Sequence, residues 1–159
     1  MLNSSKKTRG MLIACALISL AAALVFAVLF VLVREMIDME PLMSAYAAGI
    51  YLYTAGAVVP CALAMGMLAA VVHEIGCERA FTARNAKWMR GIAGMAFLEC
   101  GYMLAGLVGW SMVGIMHPGV LLIALALMMF GAGVGLLAWA LSGLIQKASA
   151  IQQENDLTV

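Results

Sequence analysis

Charge is scarce in this sequence. Of 159 residues only 11% are Asp, Glu, Lys or Arg, whereas 65% are hydrophobic. So little polar material cannot coat a globular surface in water. A soluble globular fold is excluded, and a mean hydropathy of +1.05 places the chain in a bilayer. The net charge of +1 leaves no dominant basic footprint for nucleic acid and no dominant acidic tail. No direct nucleic-acid partner is expected.

Converging polar groups are also lacking. Inside the apolar stretches there is one acid, Glu99, with scattered Tyr, Ser and Thr. A transporter or a membrane enzyme ordinarily needs several such groups at one place, so both classes lose weight, and neither catalysis nor a cofactor is expected. The four cysteines build no disulfide framework. Cys15, Cys61 and Cys100 fall inside apolar stretches, and Cys77 falls in a connector read below as cytoplasmic, where thiols stay reduced. His73 and Cys77, in "HEIGC", are four residues apart and share a helical face. Two ligands are too few for a closed zinc site, so no metal is expected. Met65 and Met67 near Cys61 give only a faint copper signal, and the 14 methionines read as packing or lipid-facing residues.

What is present is apolar length. Four stretches, at about residues 11–33, 44–72, 91–116 and 120–145, each suffice to cross a hydrocarbon core of roughly 30 Å as helix. The expected fold is all-α, a single four-helix transmembrane bundle with a connector at 73–90 and a tail at 146–159. Lys6, Lys7 and Arg9 before the first stretch also suit a secretory signal peptide, but the apolar core is too long for one, and an uncleaved anchor is expected. Pro60 falls in mid-span and predicts a kink. "HPG", His117 to Gly119, predicts a tight turn that makes the third and fourth spans an antiparallel hairpin.

Basic flanks are retained on the cytoplasmic side of a membrane. Lys6, Lys7 and Arg9 precede the first span, Arg79, Arg84, Lys87 and Arg90 lie between the second and third, and Lys147 follows the fourth. Only Arg34 lies opposite, beside Glu35, Asp38 and Glu40 in the loop "REMIDMEPLM". Both termini are therefore expected inside, on the cytoplasmic face.

Small residues recur every fourth position in two spans, Cys15, Ser19, Ala23 and Ala27 and then Gly101, Ala105 and Gly109, and every third or fourth in the last, at Gly131, Gly135, Ala138 and Ser142. Such stripes let helix backbones approach closely in lipid, either within one bundle or between two copies of the chain. Both a compact monomer and a homodimer suit them.

Glu99 lies about two turns from the cytoplasmic end of the third span. An acid there is costly unless neutral or paired, and Tyr102, one turn on, is within reach as a partner. It is either a neutral acid hydrogen-bonded within the bundle or a proton or cation site.

The connector "HEIGCERAFTARNAKWMRGIAG" predicts a helix from Phe81 onward. Phe81, Asn85 and Met89 are expected on one face, Arg84, Lys87 and Arg90 on another, and Trp88 at headgroup level. An interfacial anchor on anionic lipid accounts for that composition. In the tail "AIQQENDLTV", helix is expected to continue beyond the lipid on a face of Leu144, Ala148 and Ile151. Asn155 and Asp156 are expected to break it, leaving Leu157, Thr158 and Val159 as a short extended end that a groove can capture.

Phe81, Thr82 and Asn85, followed by Met89, Arg90 and Ile92, together with the ending Glu154, Asn155, Asp156, Leu157, Thr158, Val159 and with Pro60 in the second span, resemble domain-of-unknown-function family 2975. The resemblance covers the whole chain in layout, and its specific motifs are the connector and the tail. Glu99, the "HEIGC" cluster and the glycine-rich fourth span depart from that pattern. The resemblance implies a small four-span bacterial membrane protein whose gene often adjoins that of a short helix-turn-helix transcription regulator. A non-enzymatic regulatory partner follows as the leading expectation, with Phe81, Arg84, Asn85, Lys87, Arg90, Leu157, Thr158 and Val159 as candidate partner-binding residues. The alternative is a small transporter or channel subunit that uses Glu99.

Overall fold

A computed structural model of the chain describes residues 2–77 and 80–157, with side chains for 9–77 and 80–154. Within these the chain is helical apart from short turns: α1 (Leu2–Met39), α2 (Pro41–Ala45), α3 (Ala47–Gly76), α4 (Ala83–Val113) and α5 (Pro118–Leu157). All but α2 are long and apolar enough to cross a membrane, and a helix satisfies its own backbone polar groups where no water can. The chain is a multi-pass membrane protein. With 38 and 40 residues, α1 and α5 reach roughly 57 and 60 Å at about 1.5 Å per residue, about twice a hydrocarbon core. Both project beyond the lipid.

Each spanning helix packs on its neighbour in sequence, α1 on α3, α3 on α4 and α4 on α5, the last seam being the most extensive. The flanking helices α1 and α5 turn Ile13, Leu17, Leu122 and Leu137 outward, exposed to the lipid. Three hydroxyls within the spans are satisfied locally: Ser19, Thr54 and Ser111 each donate to the carbonyl four residues earlier, which removes the cost of a free hydroxyl in hydrocarbon. α3 runs unbroken through Pro60, which is buried.

The stripes of small residues divide between two roles. On α5, Gly131 faces the Cys100 sulfur, Gly135 faces Phe97 and Ala96, and Ala138 and Ser142 are buried, so that stripe is the α4–α5 seam. On α4, Gly101, Ala105 and Gly109 are exposed instead. The α4 glycine that packs inside the molecule is Gly106, against Tyr53. On α1 only Cys15 of its stripe is buried, while Ser19, Ala23 and Ala27 are exposed.

Two expected loops take other forms. The "REMIDMEPLM" segment is helical nearly throughout: α1 carries Arg34 and Asp38, whose exposed side chains meet at 3.9 Å, as far as Met39. The chain then breaks at Glu40, extended at φ −116° and ψ 110°, and restarts with Pro41 opening α2. Proline suits that first helical position because its missing amide hydrogen would have no partner there. In the α4–α5 hairpin the reversal is made by Gly114, at φ +78°, and not by Gly119. Glycine carries no Cβ to oppose a left-handed backbone, so it closes α4, and Pro118 then opens α5 with Gly119 already helical. Ile115 folds back from this turn onto Ile37 and Ile50, and all three are buried. A second cluster, Ile92, Ala93 and Ala138, lies toward the opposite end and joins α4 to α5.

Candidate functional site

The start of α1, the end of α5 and the turn from α3 into α4 lie at one end of the bundle, because successive spans run in opposite directions. There Thr82 caps α4. Its backbone is extended, at φ −118° and ψ 150°, and its Oγ1 accepts the Asn85 amide hydrogen at 3.3 Å. That contact satisfies one of the donors that every helix N-terminus leaves free. Asn85 is fully buried and its Nδ2 donates to the Ala80 carbonyl at 3.0 Å. Thr82 and Asn85 therefore fold the connector back onto the first turn of α4.

α5 is fastened to the same turn. Ser142, fully buried, donates its hydroxyl to the Ala86 carbonyl at 2.7 Å. One turn along, Arg90 Nη2 donates to Gln146 Oε1 at 3.2 Å. From the other side Arg84 Nη1 meets Glu74 Oε1 of α3 at 3.3 Å. The end of α3, the start of α4 and the outer part of α5 thus form one assembly.

The expected partner-binding residues separate accordingly. Asn85 is a buried element of the cap and has no surface to offer. Phe81 precedes the cap, outside the helix, so it does not share a face with Asn85 and Met89 as the periodicity suggested; it stands 58% exposed. Lys87 is exposed, and Arg84 and Arg90 are exposed while engaged as above. In the tail Asn155 and Asp156 do not interrupt α5, which continues through Leu157. The expected extended end is therefore no earlier than Thr158. Thr158 and Val159, like Arg79 of the basic connector, lie outside the described residues. Glu74 and Gln146 were not singled out by sequence, because single polar residues carry no periodic signal, and Ser142 was read only as a member of the small-residue stripe on the fourth span.

His73 and Cys77 do meet, Nε2 to Sγ at 4.0 Å, on the exposed end of α3. Among the described residues no third His, Cys, Asp or Glu joins them in a group able to hold a metal.

Deeper in the span, Glu99 is half-exposed as a residue, yet both carboxyl oxygens are covered and have no hydrogen-bond partner among the described residues. The expected partner, Tyr102, is engaged elsewhere. Its hydroxyl donates to the Tyr53 carbonyl at 2.9 Å, while the Tyr53 hydroxyl donates to the carbonyls of Tyr102 at 3.1 Å and Met103 at 3.3 Å. The two rings stack, with centroids 4.6 Å apart and 11° between planes, and Trp110 meets Tyr53 edge-on at 6.2 Å. Beside this clasp an open apolar recess of about 390 Å³ is lined by these rings and by Ala105, Gly106 and Gly109. It holds no charged side chain.

A family model described as "Protein of unknown function (DUF2975)" matches residues 32–159. No curated protein and no solved structure matches the chain.

Proposed function

Since the chain belongs to the DUF2975 family, we propose that it is a non-enzymatic, membrane-anchored docking platform for a small helix-turn-helix transcription regulator. It would sit in the bacterial inner membrane with its connector and both termini in the cytoplasm. One observation carries this reading: α5 is tied to the connector turn by the Ser142–Ala86 and Arg90–Gln146 bonds. A surface made of two elements recognises a partner only if they keep a fixed relation, and preorganisation lowers the cost of binding. The platform leaves Phe81 and Lys87 exposed on the connector and Ile151 59% exposed on the projecting helix. Exposed apolar side chains bordered by basic ones suit a protein partner. The regulator's identity rests on the gene neighbourhood that the family resemblance implies, and the side of the membrane rests on the distribution of Lys and Arg.

The test is a pull-down of the neighbouring regulator by full-length protein, by a version lacking Glu154 to Val159, and by Phe81→Ser with Lys87→Glu. Full-length protein is expected to capture it and the connector variant to lose it. Equal capture by full-length protein and the connector variant removes the connector from the mechanism, and equal capture by the truncated version removes the tail.

The covered, unpartnered oxygens of Glu99 favour a second reading, a transporter or channel subunit. It predicts flux in proteoliposomes that Glu99→Gln abolishes, whereas the platform reading predicts no flux in either form. Homodimerisation through the outward Gly101, Ala105 and Gly109 stripe is compatible with both readings, and crosslinking in the membrane reports on it.

A further inference from the structure

Three contacts fix how α3 and α4 lie against each other. A Cβ at Gly56 would meet the Tyr102 hydroxyl, one at Gly106 would meet the Tyr53 ring, and one at Gly91 would meet the Met67 sulfur. In this antiparallel register Glu99 lies level with Val59 and Pro60. Pro60 brings no amide hydrogen, so the Gly56 carbonyl, which points along α3 toward that same level, has no donor four residues on. Glu99 therefore comes to the seam where a backbone acceptor has been released. Cys61 and Tyr53 lie within electrostatic reach of its carboxyl.

Among the described residues of the spans no cation compensates it. Besides Glu99, the titratable side chains in the packed spans, away from their polar ends, are Tyr51, Tyr53 and Cys61 on α3, Cys100 and Tyr102 on α4 and Cys15 on α1, and from Pro118 to Ile145 α5 contributes none. All of these are neutral when protonated, and none supplies a positive charge to an ionised carboxylate. In hydrocarbon such an isolated anion is costly. The neutral acid fits, because its hydroxyl is a donor and the released carbonyl is an acceptor.

We infer that Glu99 and the Gly56 carbonyl freed by Pro60 form a proton-binding site inside the membrane, at the α3–α4 seam. The ligand is a proton, held on the Glu99 carboxyl and shared with the Gly56 carbonyl. Loss of that proton sets two acceptors against each other one turn from the Tyr53–Tyr102 clasp. The inference rests on neither reading of the protein's role.

Dicyclohexylcarbodiimide, an apolar reagent, tests it on the full chain in membranes. A carboxylic acid adds its O–H across the reagent's C=N bond, and the adduct rearranges to an N-acylurea with nothing leaving and no change of oxidation state. Peptide mass mapping is expected to place the adduct on Glu99, in excess over Glu35, Glu40 and Glu74, with loss of that adduct in Glu99→Gln. A cationic, water-soluble carbodiimide is expected to leave Glu99 unmodified. If Glu99→Gln fails to fold, the mapping on the unsubstituted protein decides by itself. In the infrared spectrum the carboxylic acid carbonyl band of Glu99 is expected to shift in Pro60→Ala, which returns a donor to Gly56. Absence of the adduct on Glu99 in folded protein, or equal labelling by the soluble reagent, would overturn the site. An unshifted band in folded Pro60→Ala would remove Gly56 from it.

Discussion

Tyr53 and Tyr102 clasp α3 to α4 reciprocally, each hydroxyl donating to the other residue's backbone carbonyl across stacked rings. The arrangement is possible only because Gly106 leaves room for the Tyr53 ring and Gly56 for the Tyr102 hydroxyl. Side-chain hydrogen bonds between membrane helices average about 0.6 kcal/mol and reach about 1.7. Tyr53→Phe and Tyr102→Phe are therefore expected to cost about that much each, read as the unfolding midpoint in detergent. Gly106→Ala should cost more than either, since its methyl meets the ring itself, whereas Gly101→Ala, with open space around it, should be nearly neutral. Equal effects of Gly106→Ala and Gly101→Ala would contradict the clasp.

The Thr82 cap gives a second expectation. Thr82→Ala removes the Oγ1 acceptor of the Asn85 amide and is expected to destabilise by about 1 kcal/mol. Arg84→Ala breaks an ion pair whose arginine side chain is 70% exposed, and water screens it, so a loss of no more than about 1 kcal/mol follows. Hydrogen exchange at the first turn of α4 should rise in the first variant and stay nearly constant in the second.

Ser142→Ala leaves the buried Ala86 carbonyl without the hydroxyl that now reaches it at 2.7 Å. That carbonyl keeps its helical partner, the Arg90 amide, so the loss is one interhelical bond, about 0.6 kcal/mol and at most about 1.7. The loss should appear both as lower stability and as weaker capture of a docked regulator, since the same bond holds α5 to the connector turn. Unchanged capture at normal expression would show that the two elements need not be fixed to each other.

The legible and illegible parts of this fold divide along one physical line. Burial of apolar length in lipid depends on length and composition, so the four spanning helices and the α4–α5 hairpin were evident from hydropathy and from the residues between the last two spans. Which face of a span packs inward is another matter. In water the apolar face points to the core, but lipid is as apolar as leucine and removes that contrast. Hence nothing in the pattern separated Gly106, which packs on Tyr53, from Gly101 and Gly109, which face outward. The connector shows the same division. Its helix was legible from periodicity, but Thr82 was not read as its cap nor Asn85 as buried beneath it, and the periodicity that placed Phe81 on that helix extended it one residue past the cap. At the tail, the low helix preference of Asn155 and Asp156 was outweighed by the helix already formed before them.

Salt should distinguish the two kinds of contact a docked partner makes. Attraction to exposed Lys87 and Arg90 is screened as ionic strength rises, whereas burial of Phe81 and Ile151 is not. Capture is expected to weaken with added salt without disappearing, and the residual part is expected to vanish in Phe81→Ser. Complete loss at high salt with wild-type Phe81 would assign the binding to charge alone.

Everything asked of the platform requires it to face the cytoplasm. Cys77, at the exposed end of α3, is the natural probe, because Cys15, Cys61 and Cys100 lie within the spans. A membrane-impermeant maleimide applied to intact cells should leave Cys77 unlabelled and should label it once the membrane is opened. Labelling of Cys77 in intact cells would put the connector outside and contradict the account.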